Sequence, residues 1–274
     1  MCPKITVAMR QRPVYMPVTQ LMIILDASFS TRVTMVARRE ASSVPERPYV
    51  LLSCGMSIDG YVDDPKPSRL LLSNDADFDR VDEVRASCDA ILVGAATVRQ
   101  DDPRLLVRSA QRRADRVARG AHPTPLKVTV TSSCELDPAA RFFALGDVDK
   151  LVYCGGPSLA AARARLGAVA TVVDGGNPVD LHRVTADLHR RGVRRLMVEG
   201  GGTMHTQFLT AELADELQLV VAPLFVGDSR APRFVYDGDF PWGPHRRATL
   251  AGVRQIGDVV LLRYALSDRF DPAD

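Results

Sequence analysis

The sequence predicts an α/β fold in which a mostly parallel central sheet ends in a C-terminal antiparallel hairpin. Short apolar runs typical of buried strands alternate with stretches of helical length, and this alternation implies crossover connections between parallel strands. The alternation stops after Gly227. From there, two strand-like runs at 247–254 and 259–266 flank Gly257 and Asp258, which is the pattern of a hairpin.

Each predicted element rests on local signals. The first strand, at 48–54, is followed by a turn at 55–60 in which a carboxylate lies between small residues. Helix-capping residues at 73–75 precede a helix whose apolar face is formed by Phe78, Val81, Val84 and Cys88. The other expected strands are 90–93, 126–131, 150–154, 169–173, 194–198 and 217–222, and the other expected helices are 158–165, 179–191 and 204–211.

The composition is that of an ordinary globular protein, with 46% hydrophobic and 25% charged residues among 274. A net charge of +2 indicates neither a nucleic-acid partner nor a membrane partner, and no apolar run approaches the ~20 residues of a membrane span. The five cysteines are scattered and form no C-x-x-C pair. This pattern predicts reduced thiols, a cytoplasmic location and no disulfide framework or metal site.

The first 47 residues differ from the rest of the chain. Five of the eight methionines fall within the first 35 residues, and that stretch is rich in basic residues and poor in acidic ones. Such a segment can be a targeting peptide, but Pro3, Pro13 and Pro17 interrupt any amphipathic helix. We therefore expect residues 1–47 to be a poorly ordered leader or a mis-assigned start, and residues 48–267 to form one domain.

A Gly-Ala-Ala-Thr stretch at 94–97 follows the buried strand at 90–93 and leads to the paired carboxylates Asp101 and Asp102. We expect 94–97 to be a turn. Small residues after a strand let a ligand approach the backbone, and ligands favour the carboxyl ends of parallel strands. An Asp-Asp-Pro sequence alone is more often a turn than a catalytic site. Because these carboxylates lie so close to Thr97 in the sequence, two interpretations remain open: a structural turn and a functional site.

Three consecutive glycines follow Glu199, between the strand at 194–198 and the helix at 204–211. Backbone N–H groups and a helix N-terminus at such a turn can bind a phosphate. The pattern is not G-x-G-x-x-G, which disfavours a standard Rossmann dinucleotide site. A tight turn seldom needs three glycines in a row, so phosphate binding is the favoured interpretation.

A basic series follows the paired carboxylates. Runs of this kind are usually a solvated helix face or loop. Arg108 differs because it closes the segment that begins with Asp101, so it could pair with a substrate phosphate together with Arg85. The members of the series are Arg104, Arg108, Arg112, Arg113, Arg116 and Arg119.

Together these motifs resemble the reductase domain of riboflavin biosynthesis, the pyrimidine reductase of the RibD type. The resemblance spans residues 48–264, and it is the order and spacing of the motifs that make it specific. The matching segments are 55–60, Arg85 with Ala86, 94–103, 126–132, 198–203 and 222–227.

The resemblance implies a dihydrofolate-reductase-like three-layer fold, NADPH as cofactor and, commonly, a homodimer. The implied activity is that of a 5-amino-6-(5-phosphoribosylamino)uracil reductase, which reduces the ribosyl group of a (di)amino-ribosylamino-pyrimidine 5′-phosphate to its ribityl form. By position, the family's cofactor contacts fall on Gly55, Leu71, Thr97, Asp101, Ser132, Gly201, Gly202, Thr203 and Met204, continuing to Gln207. Its substrate contacts fall on Arg69, Arg85, Leu105, Arg108 and Glu199.

Two carboxylates are the candidates for catalysis. In the reaction that the resemblance implies, hydride reaches the former anomeric carbon of the sugar, where positive charge develops. A fixed carboxylate nearby favours that transition state. Asp101 is the candidate for this role, and Glu199 is the candidate for orienting the polar groups of the substrate.

The sequence departs from the family pattern at two positions. Arg69 replaces a smaller polar residue, and Leu71 stands where some members carry an aromatic residue. Alternatives are therefore reduction of another heterocycle, such as a pterin or a secondary-metabolite precursor, or a non-catalytic nucleotide-binding relative. The second is disfavoured because a cofactor-only binder does not need Arg85, Arg108 and Glu199. The H-x-E and P-C-x-x-C motifs of the zinc deaminase in bifunctional members do not occur, so we expect a reductase alone.

Overall fold

The computed structural model describes residues 46–66 and 70–272, and within them one nine-stranded sheet organises the fold in the order β5-β4-β3-β2-β6-β1-β7-β9-β8. The elements are β1 (Tyr49–Ser57), α1 (Asp75–Ser87), β2 (Ala90–Gly94), α2 (Ala95–Asp101), α3 (Ala110–Ala118), β3 (Leu126–Thr131), α4 (Arg141–Ala144), β4 (Lys150–Gly155), α5 (Leu159–Leu166), β5 (Thr171–Gly176), α6 (Leu181–Arg190), β6 (Arg195–Val198), α7 (Gly202–Thr210), β7 (Glu216–Ala222), β8 (Thr249–Ile256) and β9 (Val259–Ala265).

The predicted α/β fold is confirmed. The strands from β5 to β7 in the sheet order pair in parallel, whereas β9 pairs antiparallel with both β7 and β8. Glycine at position 257, with φ of 62°, lies in the two-residue turn between β8 and β9. The C-terminal hairpin is therefore present as the sequence indicated.

Helices cover both faces of the sheet, which gives three layers. Alternate residues of one strand face opposite layers: Leu92 packs into a core with α6 and α7, and Ile91 into a core with α4 and α5. Both side chains are fully buried, and burial of each stabilises the fold by roughly 2 kcal/mol.

Four local predictions were wrong or incomplete. Residues 55–57 belong to β1, because the ladder with β7 continues to Ser57 opposite Ala222. Residues 95–97 start α2 instead of forming a turn, since alanines favour a helix once Gly94 leads into it. Helix α6 begins at Leu181 rather than at residue 179, because the Asp180 side chain caps it. The short helix α4 was not predicted, whereas the basic series, interpreted as a helix face or a loop, does contain a helix, α3.

The first helix has an unexpected interface. Asn74 caps α1 as one of the three predicted candidates, but the predicted apolar face, at Phe78 and beyond, is largely only half-buried. The fully buried side chains include Asp77, Arg80 and Asp82. Arg80 donates to Asp77 at 2.6 Å and to Gln218 of β7 at 2.6 Å. A hydrogen-bonded polar contact therefore joins α1 to the sheet.

In the described part of the chain, no helix is long and apolar enough to cross a membrane. The predicted leader, apart from Glu46 and Arg47, lies outside the described residues. Arg47 donates to both carboxylate oxygens of Asp215, at 2.6 and 2.8 Å. Arg47, the last residue of the predicted leader, is therefore bonded to the described domain.

Candidate functional site

The carboxyl ends of four neighbouring strands form the edge at which the predicted site residues collect. The strands β3, β2, β6 and β1 are adjacent in the sheet. Gly94 of β2 lies opposite Val130 of β3, and Leu92 lies opposite Val198 of β6. Because the strands are parallel, the residues that follow them lie along one edge, where ligands bind in open parallel sheets.

The glycine turn after β6 has the backbone geometry of an anion site. Gly200 and Gly201 have φ values of 114° and 65°, which only glycine adopts at low cost. A Cβ built on Gly201 would lie 3.3 Å from Oγ1 of Thr97, so the turn lies against the start of α2. Helix α7 begins at Gly202, and the first N–H groups of a helix have no intrahelical acceptor. This arrangement can hold a phosphate at the backbone.

Two further residues of the glycine turn, Gly202 and Met204, are closely packed against neighbouring residues. Met204 is 6% exposed, and its Cγ lies 3.0 Å from where a Cβ of Gly94 would be. A Cβ on Gly202 would lie 2.1 Å from the carbonyl oxygen of Arg233. Gly202 and Met204 can therefore contact a cofactor only through the backbone, whereas Thr203 is exposed.

Three other predicted cofactor residues lie around the same edge. Gly55 is half-buried near the end of β1, and its Cβ would lie 3.5 Å from Cβ of Leu72. The neighbouring Leu71 is 66% exposed. Ser132 is exposed just beyond β3, and its carbonyl oxygen accepts a hydrogen bond from Ser158 Oγ at 2.9 Å.

Glu199 is held by Arg85. Nε and Nη2 of Arg85 each donate to one Glu199 oxygen at 2.6 Å, and Nη1 donates to the carbonyl oxygen of Leu106 at 3.3 Å. Burial alone lowers the pKa of Arg85, but the charge and hydrogen bonds of Glu199 outweigh it and raise that pKa. The pair therefore fixes the carboxylate that follows β6.

The two adjacent carboxylates at the end of α2 lie in different surroundings. Asp102, with φ of 40°, accepts hydrogen bonds from N and Nε of Arg141 at 2.6 and 2.9 Å, which ties the end of α2 to the start of α4. Asp101 is the last residue of α2 and is half-buried. It lies four residues after Thr97, and residues at this spacing share a helix face. Asp101 is therefore the carboxylate on the side of the glycine turn.

Two of the predicted substrate residues, Leu105 and Arg108, lie in the segment between α2 and α3, and Arg85 lies near the end of α1. Leu105 has φ of 47° and a side chain that is 2% exposed in the core, so it can contact a ligand only through its backbone. The Arg108 side chain is 58% exposed, and its Nη2 donates to the carbonyl oxygen of Phe78 at 2.6 Å. Arg85 contacts Glu199 instead. On α1, Arg85 lies seven residues after Phe78, which corresponds to about 10 Å along the helix axis. Arg69 lies outside the described residues.

Two acidic residues hold backbone segments around the site and were not among the predicted site residues. Asp59 accepts hydrogen bonds from Ser57 Oγ at 2.6 Å and from the N–H of Gly227 at 2.8 Å, so it joins the ends of β1 and β7. The hydrogen bond from Ser57 is the main reason why the pKa of Asp59 is low. Asp82 is buried beneath residues 108 and 109. Asp59 belongs to a segment that the resemblance already marked, whereas no local sequence signal marks Asp82.

Two cavities, of about 400 and 310 Å³, lie away from this edge: the first is beside Lys150 and Thr171 at the amino-terminal ends of β4 and β5, and the second is beside Arg47 and His182. Neither contains a glycine turn. Within residues 46–66 and 70–272, no cluster of three or more metal-ligating side chains occurs.

Comparisons with known proteins identify relatives of this chain. The 2,5-diamino-6-ribosylamino-4(3H)-pyrimidinone 5′-phosphate reductase of Archaeoglobus fulgidus is 40% identical over 197 residues, which cover 70% of this chain and 88% of that protein. The protein of the same name from Methanothermobacter thermautotrophicus is 38% identical and covers 70% of this chain and 85% of its own.

Solved structures and a family model lead to the same family. A pyrimidine reductase-like protein from Corynebacterium diphtheriae matches with a TM-score of 0.69 at 22% identity, over 80% of this chain and 91% of that one, which supports the fold. The model of the RibD C-terminal domain matches residues 48–262. The chain therefore belongs to the RibD C-terminal domain family, the reductases of riboflavin biosynthesis.

Proposed function

We propose that this protein reduces the ribosyl group of a (di)amino-ribosylamino-pyrimidine 5′-phosphate to the ribityl form, with NADPH as reductant. The observation that carries the proposal is the meeting of the glycine turn, Thr97 and the Arg85–Glu199 pair at one edge of the sheet. The names of the relatives from Archaeoglobus fulgidus and Methanothermobacter thermautotrophicus support the substrate class.

The cofactor is proposed to bind along the glycine turn. Its phosphate groups suit the N–H groups of residues 201–204 and the positive end of α7. Thr97 and Ser132 flank this turn from α2 and from the end of β3, while Gly55 and Leu71 belong to the side at β1. When bound, NADPH supplies the hydride, and the protein supplies binding and orientation.

The chain's own groups orient the substrate and stabilise charge. The sugar of the ribosylamine opens to a C=N bond, the carbon of that bond takes up hydride, and the nitrogen takes up a proton, which gives the ribitylamine. The closed ribosylamine carries no charge at this carbon and nitrogen, whereas the opened C=N unit becomes positively charged, so the carboxylate of Asp101 favours the charged unit and the transition state reached from it over the bound closed sugar. Glu199, fixed by Arg85, orients the polar groups of the substrate.

Arg108 is proposed to bind the 5′-phosphate of the substrate. Its side chain is 58% exposed, and its guanidinium donates one hydrogen bond to the carbonyl oxygen of Phe78 and has Nε 3.7 Å from Asp82. A guanidinium binds phosphate oxygens with two parallel hydrogen bonds. Arg85 is less available, since three of its N–H groups already have acceptors.

We also propose a homodimer and a cytoplasmic location. The outer strands β8 and β9 expose Leu250, Val253 and Val260 to 52, 61 and 38%, and an exposed apolar sheet edge suits association with a second copy. The cysteines at 54, 88, 134 and 154 are unpaired, which suits a reducing compartment.

The experiment that tests the proposed function is an assay of NADPH oxidation with a panel of substrates. The panel contains the aminated and the deaminated ribosylamino-pyrimidine 5′-phosphates, their dephosphorylated forms, and dihydrofolate. Turnover restricted to the phosphorylated pyrimidines supports the proposal. Turnover of dihydrofolate alone would instead identify a reductase of another heterocycle, and NADPH binding without turnover of any member would identify a non-catalytic relative.

A further inference from the structure

The segment at residues 105–109 is held by side chains and not by a neighbouring strand. It has neither helix nor strand structure, yet it supplies Arg108 to the proposed site. Its backbone groups bond to side chains from α1, from α3 and from the loop before β3. Thr124 Oγ1 accepts from the N–H of Val107 at 2.9 Å, Arg113 donates to the carbonyl oxygens of Val107 and Arg108 at 2.9 and 2.6 Å, and Arg85 donates to that of Leu106 at 3.3 Å.

Asp82 of α1 holds the part of this segment that carries Arg108. Its carboxylate is 1% exposed and accepts hydrogen bonds from the backbone N–H groups of Arg108 and Ser109. Arg112 adds a third bond at 3.1 Å, and Nε of Arg108 lies 3.7 Å away. Burial acts to raise the pKa of Asp82, but these donors outweigh it and keep that pKa below its usual value. Two successive peptide groups are thereby attached to one fixed anion.

We infer that Asp82 is a positioning residue for recognition of the substrate phosphate. By fixing the main chain at residues 108 and 109, Asp82 sets the place from which the Arg108 side chain reaches the ligand. The inference rests on the proposed function, in which Arg108 binds that phosphate. Misplacement of a binding group by about 1 Å is enough to change kinetics strongly.

A neighbouring carboxylate provides a matched control. Asp79 lies one turn earlier on α1 and also pairs with Arg112, at 2.6 Å. Its side chain is 67% exposed, and its carboxylate accepts both hydrogen bonds from the side chain of Arg112 and not from the backbone of the segment. Loss of Asp79 therefore removes a similar charge and the same arginine contact, but leaves the N–H groups of residues 108 and 109 on Asp82.

The test compares Asp82→Asn with Asp79→Asn by kinetics and by amide hydrogen exchange. Asp82→Asn should raise KM for the phosphorylated pyrimidine ~10-fold, leave KM for NADPH and kcat within about 2-fold, and speed exchange at residues 108 and 109. In an Arg108→Ala background the same substitution should raise KM no further. Asp79→Asn should change none of these quantities appreciably.

A purely structural role for Asp82 predicts a different set of results. It would lower the melting temperature and impair kcat and the KM values for both ligands together, and its effect would persist in the Arg108→Ala background. Either result overturns the inference. Unchanged exchange at residues 108 and 109 overturns it as well, whether or not the protein is active. If Asp82→Asn does not fold, Asp82→Glu keeps the charge but displaces both oxygens by one methylene, and the same increase in KM is expected.

Failure of the proposed function is recognised separately. If the wild-type protein turns over no phosphorylated pyrimidine, the proposed function is wrong and the substrate role of Asp82 falls with it, even where hydrogen exchange shows that Asp82 holds the segment. If the wild-type protein is active and only the predicted change in KM is missing, the proposed function stands and the inference about Asp82 is wrong.

Discussion

The glycine turn at residues 199–204 and the segment at residues 105–109 flank the candidate site, and they are fixed in different ways. The glycine turn is positioned by close packing: Gly201 lies against Thr97, Gly94 against Met204, and Gly202 beneath Arg233. The other segment is positioned by ion pairs and by hydrogen bonds from buried or half-buried side chains. Glu199, through its bidentate pair with Arg85, is the point where the two systems join.

This difference determines what a sequence can reveal about each side. Where another group must approach the backbone closely, only glycine is suitable, so the glycines themselves indicate this requirement in the sequence. Where arginines hold a segment in place, the residue type does not reveal the role, because one arginine is buried in the fold and another is exposed at the site. Arg116 is 3% exposed and donates to the carbonyl oxygens of Ala86 and Cys88, whereas the Arg108 side chain is 58% exposed.

The largest expected effect concerns Asp101, at the end of the helix that begins beside the glycine turn. Asp101→Asn keeps the shape but removes the charge, so turnover should fall ~10²-fold while NADPH and substrate still bind. Steady-state kinetics and NADPH titration measure these quantities. Asp102→Asn is the matched control, because its partly exposed pair with Arg141 contributes at most about 1 kcal/mol to stability. Equal turnover in the two variants would remove Asp101 from the mechanism.

The glycine side should respond to the addition of a single methyl group. Gly201→Ala introduces a Cβ at φ of 65°, beside Thr97, and obstructs the approach of a phosphate to the backbone. We expect NADPH affinity to fall ~10-fold or more, since hydrogen bonds to a charged group contribute about 2 kcal/mol. Gly192→Ala, at φ of 93° with open space around its Cβ, imposes similar backbone strain away from the site. Loss of NADPH affinity in both variants would point to strain and not to the site.

A substitution in the segment at residues 105–109 should change the affinity for the substrate and not the affinity for NADPH. Arg108→Ala is expected to raise KM for the phosphorylated pyrimidine by ~10-fold, because a charge-assisted contact of about 2 kcal/mol is lost. KM for NADPH should hardly change. Arg104→Ala, an exposed arginine four residues earlier, should affect neither constant. If Arg108→Ala weakens the binding of NADPH alone, Arg108 contacts the cofactor and not the substrate, and the assignment of ligands to the two sides is reversed.

The smallest effect on activity is expected from His205 of α7, which acts on stability. Its ring is 1% exposed, and neither nitrogen has a hydrogen-bond partner among the described residues. Burial lowers the pKa of His205 from 6.5 to about 4. The unfolded chain therefore takes up a proton first as pH falls, so this contribution is present above pH 6.5 and is lost towards pH 4, up to about 3 kcal/mol.

Urea unfolding at two pH values measures this contribution. The free energy of unfolding of the wild-type protein should decrease between pH 7 and pH 5, and His205→Leu should show a smaller decrease over the same interval. His182→Gln, at an exposed histidine of α6, is the control and should follow the wild type. The same pH dependence in His205→Leu and in the wild type would show that another group is responsible.

Much of the fold was predictable because its signals are local. The buried strands, the cap at Asn74 and the hairpin around Gly257 each follow from short-range residue preferences. The predicted face of α1 was largely misleading, since Asp77 and Arg80 are buried by partners such as Gln218, which lies 138 residues from Arg80 in the chain. Burial of charge by a distant partner leaves no periodic pattern in the sequence.

The candidate site divides in the same way. The glycine turn and Thr97 were marked by their residue types, and the structure brings them together. The pair of Arg85 and Glu199 was not foreseen as a contact, because its members are 114 residues apart. Asp82 was missed altogether, since a single acidic residue on a charged helix carries no distinguishing signal until its backbone partners are known.

The central claim is that the two sides hold a cofactor and a phosphorylated sugar so that hydride passes between them. Incubation of the protein with NADPH deuterated at the transferring position of its nicotinamide ring, followed by mass spectrometry and NMR of the pyrimidine product, tests this directly. We predict one deuterium per product molecule, on the ribityl carbon that was anomeric in the substrate. A reduced product without deuterium at that carbon, or deuterium in the pyrimidine ring, would contradict the account.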